Sequence, residues 1–246
     1  MSRKAWVRQI MGMPISIHLR GADVDSPMVA RAVEDAFDVV READRLFSTY
    51  RDDSEVSRIR RIELDPAQAD PLVQQVATLC RQAGELTEGA FTDLLPVDDG
   101  LLSFDPTGLV KGWAADRAAI RLADLPGASF CLNAGGDVVV GGTAVEAKGG
   151  PVAVWRVGIE DPRDRSRIAE VVELRAGGVA TSGTAARGAH LYDPLTGTFV
   201  DRAGSVTVVG PSLMWADVWA TALFVGPASL HRRFSQVAEG YRMISL

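Results

Sequence analysis

Residues 205–221 (SVTVVGPSLMWADVWAT) constrain the fold more than any other stretch of the chain. An alternating apolar strand pattern runs there directly into a helix pattern that extends from about residue 212 to residue 223. Asp217 and Thr221 are four residues apart, so they share one helix face and offer the hard oxygen donors that suit Mg²⁺. A solvated Asp217 is the alternative, although its apolar neighbours would make an unpaired carboxylate costly.

The rest of the chain mixes strand and helix patterns without the regular alternation of a doubly wound sheet. Strand patterns occupy residues 4–19, 130–140 (broken by a turn at 133–137), 152–159, 169–174, 179–182, 190–192 and 205–209. Helix patterns occupy residues 26–50, 71–87, 212–223 and 228–239, and a further helix runs from Val110 or Lys111 to Leu122. This order predicts an α+β fold. Its 246 residues allow one large domain or two small interdependent ones.

Composition narrows the classes of partner. Hydrophobic residues make up 47% and charged residues 24% of the chain, as in ordinary globular proteins, and Cys80 and Cys131 are interpreted as buried thiols. The net charge of −6 provides no electrostatic footprint for nucleic acid or an anionic membrane. The N-terminal residues lack a continuous apolar run, and no transmembrane segment is present, so a cytoplasmic location is expected.

A second stretch, residues 105–116 (DPTGLVKGWAAD), places an acid, a glycine and a lysine within seven residues. Gly108 allows close backbone approach or a positive φ, and its carbonyl oxygen can face a cation. Lys111, at the predicted helix start, adds positive charge to the free N–H groups there and so favours phosphate. The spacing matches neither a Walker loop nor a dinucleotide-binding fingerprint. An ordinary capped helix with a solvated lysine is the alternative.

His190 is the histidine whose setting suggests chemistry. It follows the hydroxyl-bearing turn at residues 180–184 and opens the segment HLYDPLTG. A histidine that titrates near neutral pH is a natural general base, although a structural histidine is the alternative.

Together, the ordered motifs of the chain closely resemble the ApbE family of flavin transferases. The motifs that carry the resemblance are Met11-Gly12, 47–50 (FSTY), 89–91 (GAF), Asp105 with Gly108 and Lys111-Gly112, 133–137 (NAGGD), 181–183 (TSG), His190 with 193–194 (DP) and 196–197 (TG), and Ala216-Asp217 with Ala220-Thr221. They span nearly the whole chain, so the resemblance depends on no single motif.

The resemblance implies a single domain over residues 1–246, with mixed, mostly antiparallel sheets and flanking helices. It also implies a Mg²⁺-dependent FAD:protein FMN transferase, which attaches FMN from FAD to a Thr or Ser hydroxyl of an acceptor flavoprotein and releases AMP. By position, the metal ligands would be the Gly108 carbonyl, Asp217 and Thr221, and His190 would be the catalytic base. The expected FAD contacts are Met11, Tyr50, Ala90, Phe91, Thr92, Asp105, Lys111 and Leu191.

Several positions depart from the family pattern. Met13 stands where the family often has Thr, Arg60 where it usually has Asn, and Thr92 where it has Asp. The segments 91–105 and 183–190 are shorter than in typical members. These departures are expected to change the contacts to the AMP part of FAD and the surface that docks the acceptor. The metal ligands match.

Two other functions fit the same residues. With water as the acceptor, the site would be a Mg²⁺-dependent FAD pyrophosphatase that yields FMN and AMP. Without catalysis, the chain would be an FAD-binding or flavin-carrier protein, in which Tyr50 is a core residue at a helix end or a stacking partner of the flavin.

Overall fold

The structure is a computed structural model that describes residues 2–21, 23–97, 100–145, 152–185 and 188–246. In chain order, its strands are β1 (Ser2–Ile10), β2 (Met13–Gly21), β3 (Leu94–Pro96), β4 (Leu102–Phe104), β5 (Ala128–Ala134), β6 (Asp137–Gly142), β7 (Trp155–Asp161), β8 (Asp164–Leu174), β9 (Gly177–Gly183), β10 (Tyr192–Asp193), β11 (Thr198–Phe199), β12 (Ser205–Gly210) and β13 (Arg242–Ser245). Its helices are α1 (Pro27–Phe47), α2 (Glu55–Arg60), α3 (Pro71–Leu86), α4 (Thr107–Ala123), α5 (Leu213–Val225) and α6 (Ser229–Val237), with a short 3₁₀ helix at Pro66–Gln68.

One antiparallel sheet forms the centre of the fold. Seven strands lie in the order β1-β2-β5-β6-β9-β12-β13, and each pair of neighbours is antiparallel. Three two-stranded ladders, β3–β4, β7–β8 and β10–β11, lie outside this sheet. The predicted α+β fold with antiparallel sheets and flanking helices is therefore confirmed.

Local sequence explains where the long helices begin. The Ser26 hydroxyl oxygen accepts a hydrogen bond from the Val29 amide at 3.3 Å, and Pro27 occupies the first helical position of α1. Ser212 caps α5 in the same way through the Trp215 amide. Both starts agree with the sequence prediction.

A layer of helices covers the sheet and contains most of the core. Helix α5 contacts β9 and β12, α4 contacts α5, β5 and β6, and α1 packs on α4. Gly112 allows α4 and α5 to approach closely, because a Cβ atom at this position would lie 2.7 Å from the Cα atom of Met214. The close packing brings the polar side chains of the two helices together.

Asp116 fastens the start of α5 to α4. Its carboxylate accepts hydrogen bonds from the Ser212 hydroxyl at 2.7 Å and from the amides of Leu213 and Met214, both at 3.0 Å. Burial raises the pKa of Asp116, while these three donors act to lower it. The carboxylate thereby satisfies amide groups that the first turn of α5 would otherwise leave without partners.

The structure corrects several predicted boundaries. Helix α4 begins at Thr107 instead of Val110 or Lys111, since the Pro106 carbonyl already accepts from the Val110 amide at 3.0 Å. Gly108 therefore lies in the first helical turn without a positive φ, so of its two predicted uses the positive φ is wrong. Helix α2, the β3–β4 hairpin and β13 were not predicted, and the predicted strand at 190–192 begins only at Tyr192.

Cys80 is buried and Cys131 half-buried, so the predicted burial is complete only for Cys80. Burial raises the pKa of both thiols, that of Cys131 to about 11. None of the helices in the described part of the chain combines the length and apolar character needed to cross a bilayer.

Candidate active site

The structure brings every predicted site residue to one cavity of about 800 Å³. The cavity lies where the β1–β2 turn, the end of α1 and the first turns of α4 meet the middle of α5 and the β7–β8 hairpin. The predicted residues on its wall are Met11, Tyr50, Ala90, Phe91, Thr92, Asp105, Gly108, Lys111, His190, Leu191, Asp217 and Thr221. Segments far apart in sequence thus converge on one cavity.

Met11 reaches the cavity from a tight two-residue turn. Ile10 pairs with Met13, so Met11 and Gly12 form the whole β1–β2 connection, with φ values of 56° and 69°. A turn with positive φ at both central residues matches the right-handed twist of a hairpin, but it is unfavourable for a residue other than Gly, Asn or Asp. Met11 is therefore held in a strained backbone conformation at the cavity wall.

Tyr50 lies at the cavity rim with 98% of its surface exposed. The alternative of a core tyrosine at a helix end is therefore wrong, because α1 ends at Phe47 and Tyr50 lies beyond it. An exposed aromatic ring beside a cavity is available for stacking on a planar ligand.

Ala90, Phe91 and Thr92 form a part of the wall after α3 that is buried except at Thr92. Ala90 and Phe91 are almost fully buried, and the Phe91 amide donates to the Thr87 hydroxyl oxygen at 3.0 Å. The Thr92 hydroxyl oxygen accepts from the Leu94 amide at 3.1 Å and begins the β3–β4 hairpin. These contacts fix the segment.

Lys111 lies between two carboxylates. Its ammonium group forms ion pairs with Asp137 and with Asp217, the latter at 3.5 Å. The side chains of Lys111, Asp137 and Asp217 are 20%, 4% and 5% exposed. The alternatives of a solvated Lys111 and a solvated Asp217 are both wrong. The predicted position of Lys111 at the helix start is also wrong, since it lies in the second turn of α4.

Asp137 was not predicted as a site residue. It ends the glycine turn between β5 and β6, and its second carboxylate oxygen accepts from the Thr181 amide at 3.0 Å. The motif 133–137 was the available signal, but a short turn and a ligand pocket predict the same small residues there. The residues of the β7–β8 hairpin on the wall, 157–162 and Arg165, were not predicted either.

A mixed set of oxygen donors fits a divalent cation beside Lys111. Asp217 supplies a buried carboxylate, and the Thr221 hydroxyl one turn later lies 3.0 Å from the Ser182 hydroxyl. Gly108 exposes its backbone on the same cavity. Among the described residues, no group of three or more His, Cys, Asp or Glu side chains is placed to hold a metal. A cation here would therefore need carbonyl and hydroxyl ligands besides carboxylate, a set that suits Mg²⁺.

The net negative charge of the cavity wall also favours a bound cation if the ligand is an anion. The acidic side chains on the described wall outnumber the basic ones, Lys111 and Arg165, by six to two. The six are Asp44, Asp105, Asp137, Glu160, Asp161 and Asp217. An anionic ligand would meet net negative charge without a bound cation.

His190 presents one ring nitrogen as a base. Its Nδ1 atom lies 2.9 Å from the Gly188 carbonyl oxygen, which can only accept a hydrogen bond. Nδ1 therefore carries the proton in the neutral ring, and Nε2 keeps its lone pair. The side chain is exposed in a loop that borders the cavity.

Asp105 is held in place from two sides. One carboxylate oxygen accepts hydrogen bonds from the Thr107 amide, at 3.0 Å, and from the Thr107 hydroxyl. The other oxygen forms an ion pair with Arg60 at 2.7 Å. The Asp105 side chain is 13% exposed, so it reaches the cavity from a mostly buried position.

The sequence matches one protein family over most of its length. The ApbE family model matches residues 11–96 and 93–243. The chain is 29% identical over 174 residues to a FAD:protein FMN transferase of Salmonella typhimurium, which covers 66% of this chain and 46% of that relative. It is 36% identical over 139 residues to a FAD:protein FMN transferase of Escherichia coli, which covers 51% and 38%. The matched part of the chain thus spans less than half the length of these relatives.

Solved structures share the fold. The ApbE protein of Thermotoga maritima has a TM-score of 0.79 at 22% identity, covering 99% of this chain and 94% of that one. The flavin transferase ApbE of Vibrio cholerae has a TM-score of 0.75 at 22% identity, covering 99% and 97%. At such identities the likeness supports the fold alone.

Proposed function

The chain belongs to the ApbE family, and from this premise we propose that it is a Mg²⁺-dependent FAD:protein FMN transferase. It moves FMN from FAD to a Ser or Thr hydroxyl of an acceptor protein and releases AMP. The observation that carries the proposal is the convergence of twelve residues, from motifs spread over the chain, on one cavity of about 800 Å³.

The volume and the lining suit a dinucleotide that contains a flavin. Ligand pockets for molecules of this class have volumes of several hundred Å³ and combine apolar walls with a few polar groups. Phe91 and Leu191 supply apolar wall, and exposed Tyr50 supplies a ring that can stack on a planar part of FAD. Lys111, held between Asp137 and Asp217 on the cavity wall, supplies a positive charge that can approach phosphate oxygens.

The Mg²⁺ ion would be held by the Gly108 carbonyl oxygen, the Asp217 carboxylate and the Thr221 hydroxyl. When bound, it neutralises charge on the phosphate oxygens of FAD. The ion pair with Asp137 holds Lys111 in the cavity. This contact does not depend on the Asp217 carboxylate, which is the proposed metal ligand. The acidic wall makes these cations necessary for binding a pyrophosphate.

The proposed transfer forms one bond and breaks one bond. The acceptor hydroxyl oxygen bonds to the phosphorus on the FMN side of FAD, and the bond from that phosphorus to the bridging oxygen breaks. AMP leaves with the bridging oxygen and its electron pair. Nε2 of His190 accepts the hydroxyl proton, which the tautomer set by Gly188 allows.

Chromatography of the nucleotides tests the proposal. Purified protein is incubated with FAD and Mg²⁺, with and without an acceptor that carries an Asp-x-x-(Ser/Thr)-Gly-Ala-(Ser/Thr) segment. We expect AMP release that depends on the acceptor and stops when EDTA is added. Unchanged FAD that elutes with the protein would overturn the proposal and leave a flavin-binding protein.

A second activity, FAD hydrolysis, is favoured by the exposure of His190. Because this side chain is exposed, water can take the place of the acceptor hydroxyl beside it. The same experiment separates the two activities. Hydrolysis gives AMP and free FMN, and its rate is the same whether or not the acceptor is present.

We expect His190→Ala to lower the transfer rate at least about 100-fold and to leave FAD affinity within about twofold, because a general base acts on the acceptor. Transfer rates and FAD titrations of this variant check the expectation. His18→Ala is the matched control, since His18 is exposed on β2 and does not line this cavity. Equal losses of rate and affinity in His190→Ala would assign this residue to ligand binding or to the fold.

A further inference from the structure

We propose that Arg60 is a positioning residue for FAD binding, acting through Asp105. The proposal rests on the proposed function, because it assumes that FAD occupies the cavity that Asp105 lines. Arg60 itself does not line the cavity. Its effect on the ligand must therefore pass through the carboxylate that it holds.

Arg60 makes two contacts at the junction between β4 and α4. Its Nε atom donates to the Phe104 carbonyl oxygen at 2.7 Å, and its Nη2 atom donates to the Asp105 carboxylate at 2.7 Å. The guanidinium group thereby binds the last residue of β4 and the residue that follows it. These contacts fix both the backbone and the side chain of Asp105.

Asp105 is thereby constrained on both oxygens. The oxygen that Arg60 does not contact accepts from the Thr107 amide and hydroxyl. A carboxylate with both oxygens engaged has one side-chain orientation, and the oxygen that Arg60 contacts still has a lone pair for a ligand donor. Asp105 can then accept from a hydroxyl or amino group of FAD without first losing rotamer freedom.

Charge gives Arg60 a second effect on the ligand. The wall has an excess of acidic side chains, and Asp105 is one of them. Arg60 and Asp105 are only 20% and 13% exposed, so water screens their ion pair incompletely. Arg60 thus offsets negative charge that would otherwise repel the pyrophosphate of FAD.

Lysine could not replace these contacts. An arginine side chain donates from several nitrogen atoms in a fixed plane, which lets it bind a carbonyl and a carboxylate together. A lysine retains the charge but presents it as a single point. The two properties can therefore be separated by substitution.

The test is FAD affinity and steady-state kinetics of five variants. We expect Arg60→Ala to raise the Kd for FAD about tenfold with kcat within about twofold, and Arg60→Lys to have an intermediate Kd. Arg61→Ala is the matched control: the adjacent arginine pairs with exposed Glu63 and does not line the cavity. In the Asp105→Ala background, removing Arg60 should raise the Kd by much less than tenfold, because Arg60 then has no carboxylate to position and only its charge is lost.

Two results would overturn the inference. One is an equal Kd for FAD in Arg60→Ala and Arg61→Ala; the other is a full, additive effect of Arg60→Ala in the Asp105→Ala background. Arg60→Lys provides the affinity comparison if Arg60→Ala does not fold. A Kd and a kcat of Arg60→Lys equal to those of the wild type would also contradict a role that needs the planar guanidinium group. A wild-type protein that does not bind FAD would instead overturn the proposed function, on which this inference depends.

Discussion

Asp217→Asn should abolish Mg²⁺-dependent FAD turnover, with an expected loss of about 100-fold or more, because it removes the anionic ligand of the proposed metal site. The substitution preserves the shape of the side chain in the middle of α5. Lys111 keeps its ion pair with Asp137 in this variant, so the positive charge of the cavity remains in place. The loss should therefore reflect the cation and not a collapsed site.

The measurement is turnover as a function of Mg²⁺ concentration, with Mg²⁺ binding followed separately by calorimetry. Asp35→Asn, on the exposed face of α1, is the control for removing one negative charge. Activity of Asp217→Asn equal to that of the wild type at low Mg²⁺ would refute the assignment of Asp217 as a metal ligand. Unchanged Mg²⁺ binding in the calorimeter would refute it independently of activity.

Gly112→Ala should destabilise the protein by about 2 kcal/mol, although alanine is usually the better helix residue by about 1 kcal/mol. The new methyl group would lie 2.7 Å from the Cα atom of Met214, where backbone must move to make room. Separating α4 from α5 would also move Lys111 away from Asp217, so turnover should fall with stability.

Gly108→Ala is the matched control, since it makes the same substitution four residues earlier on α4. A methyl group there would lie 3.5 Å from the Phe91 ring, an ordinary contact, and the backbone carbonyl is retained. Urea unfolding of both variants separates helix propensity from packing. Equal stability of the two variants would show that the close approach at Gly112 does not hold the helices in register.

Sequence patterns predicted much of the fold because those elements are determined locally. Ser26 and Pro27 mark the start of α1, and the alternating apolar residues of 4–19 mark the strands β1 and β2. Such signals need no knowledge of distant contacts. The start of α4 was missed because Pro106 and Gly108 are typical of a turn. In the structure the Asp105 carboxylate, held by distant Arg60, accepts from the Thr107 amide and so supports a helix that begins at Thr107.

In the candidate site, too, motifs identified some residues, whereas others depend on contacts between distant segments. Ordered motifs identified Lys111 and Asp217, and the structure brings both to one cavity. The motif 133–137 contains Asp137, but its pairing with Lys111 could not be predicted, because it depends on how β6 lies beside α4. Arg60 was noted only as a departure from the family pattern, since its ion pair with Asp105 joins residues 45 positions apart.

The packing of α4 against α5 connects the fold to the site. Gly112 sets the distance between the two helices, and Asp116 fixes the first turn of α5. The cavity face of the same two helices carries Lys111, Asp217 and Thr221. Stability and proposed activity therefore depend on one interface.

The most direct measurement of the proposed transfer is the intact mass of the acceptor after incubation with FAD, Mg²⁺ and this protein. We expect a gain equal to FMN less one water, the mass of a phosphoester, and no gain when the acceptor Ser or Thr is replaced by Ala. The gain should also be absent with the Asp217→Asn variant. An acceptor of unchanged mass, while FAD is converted to FMN and AMP at full rate, would contradict transfer and identify the protein as a FAD hydrolase.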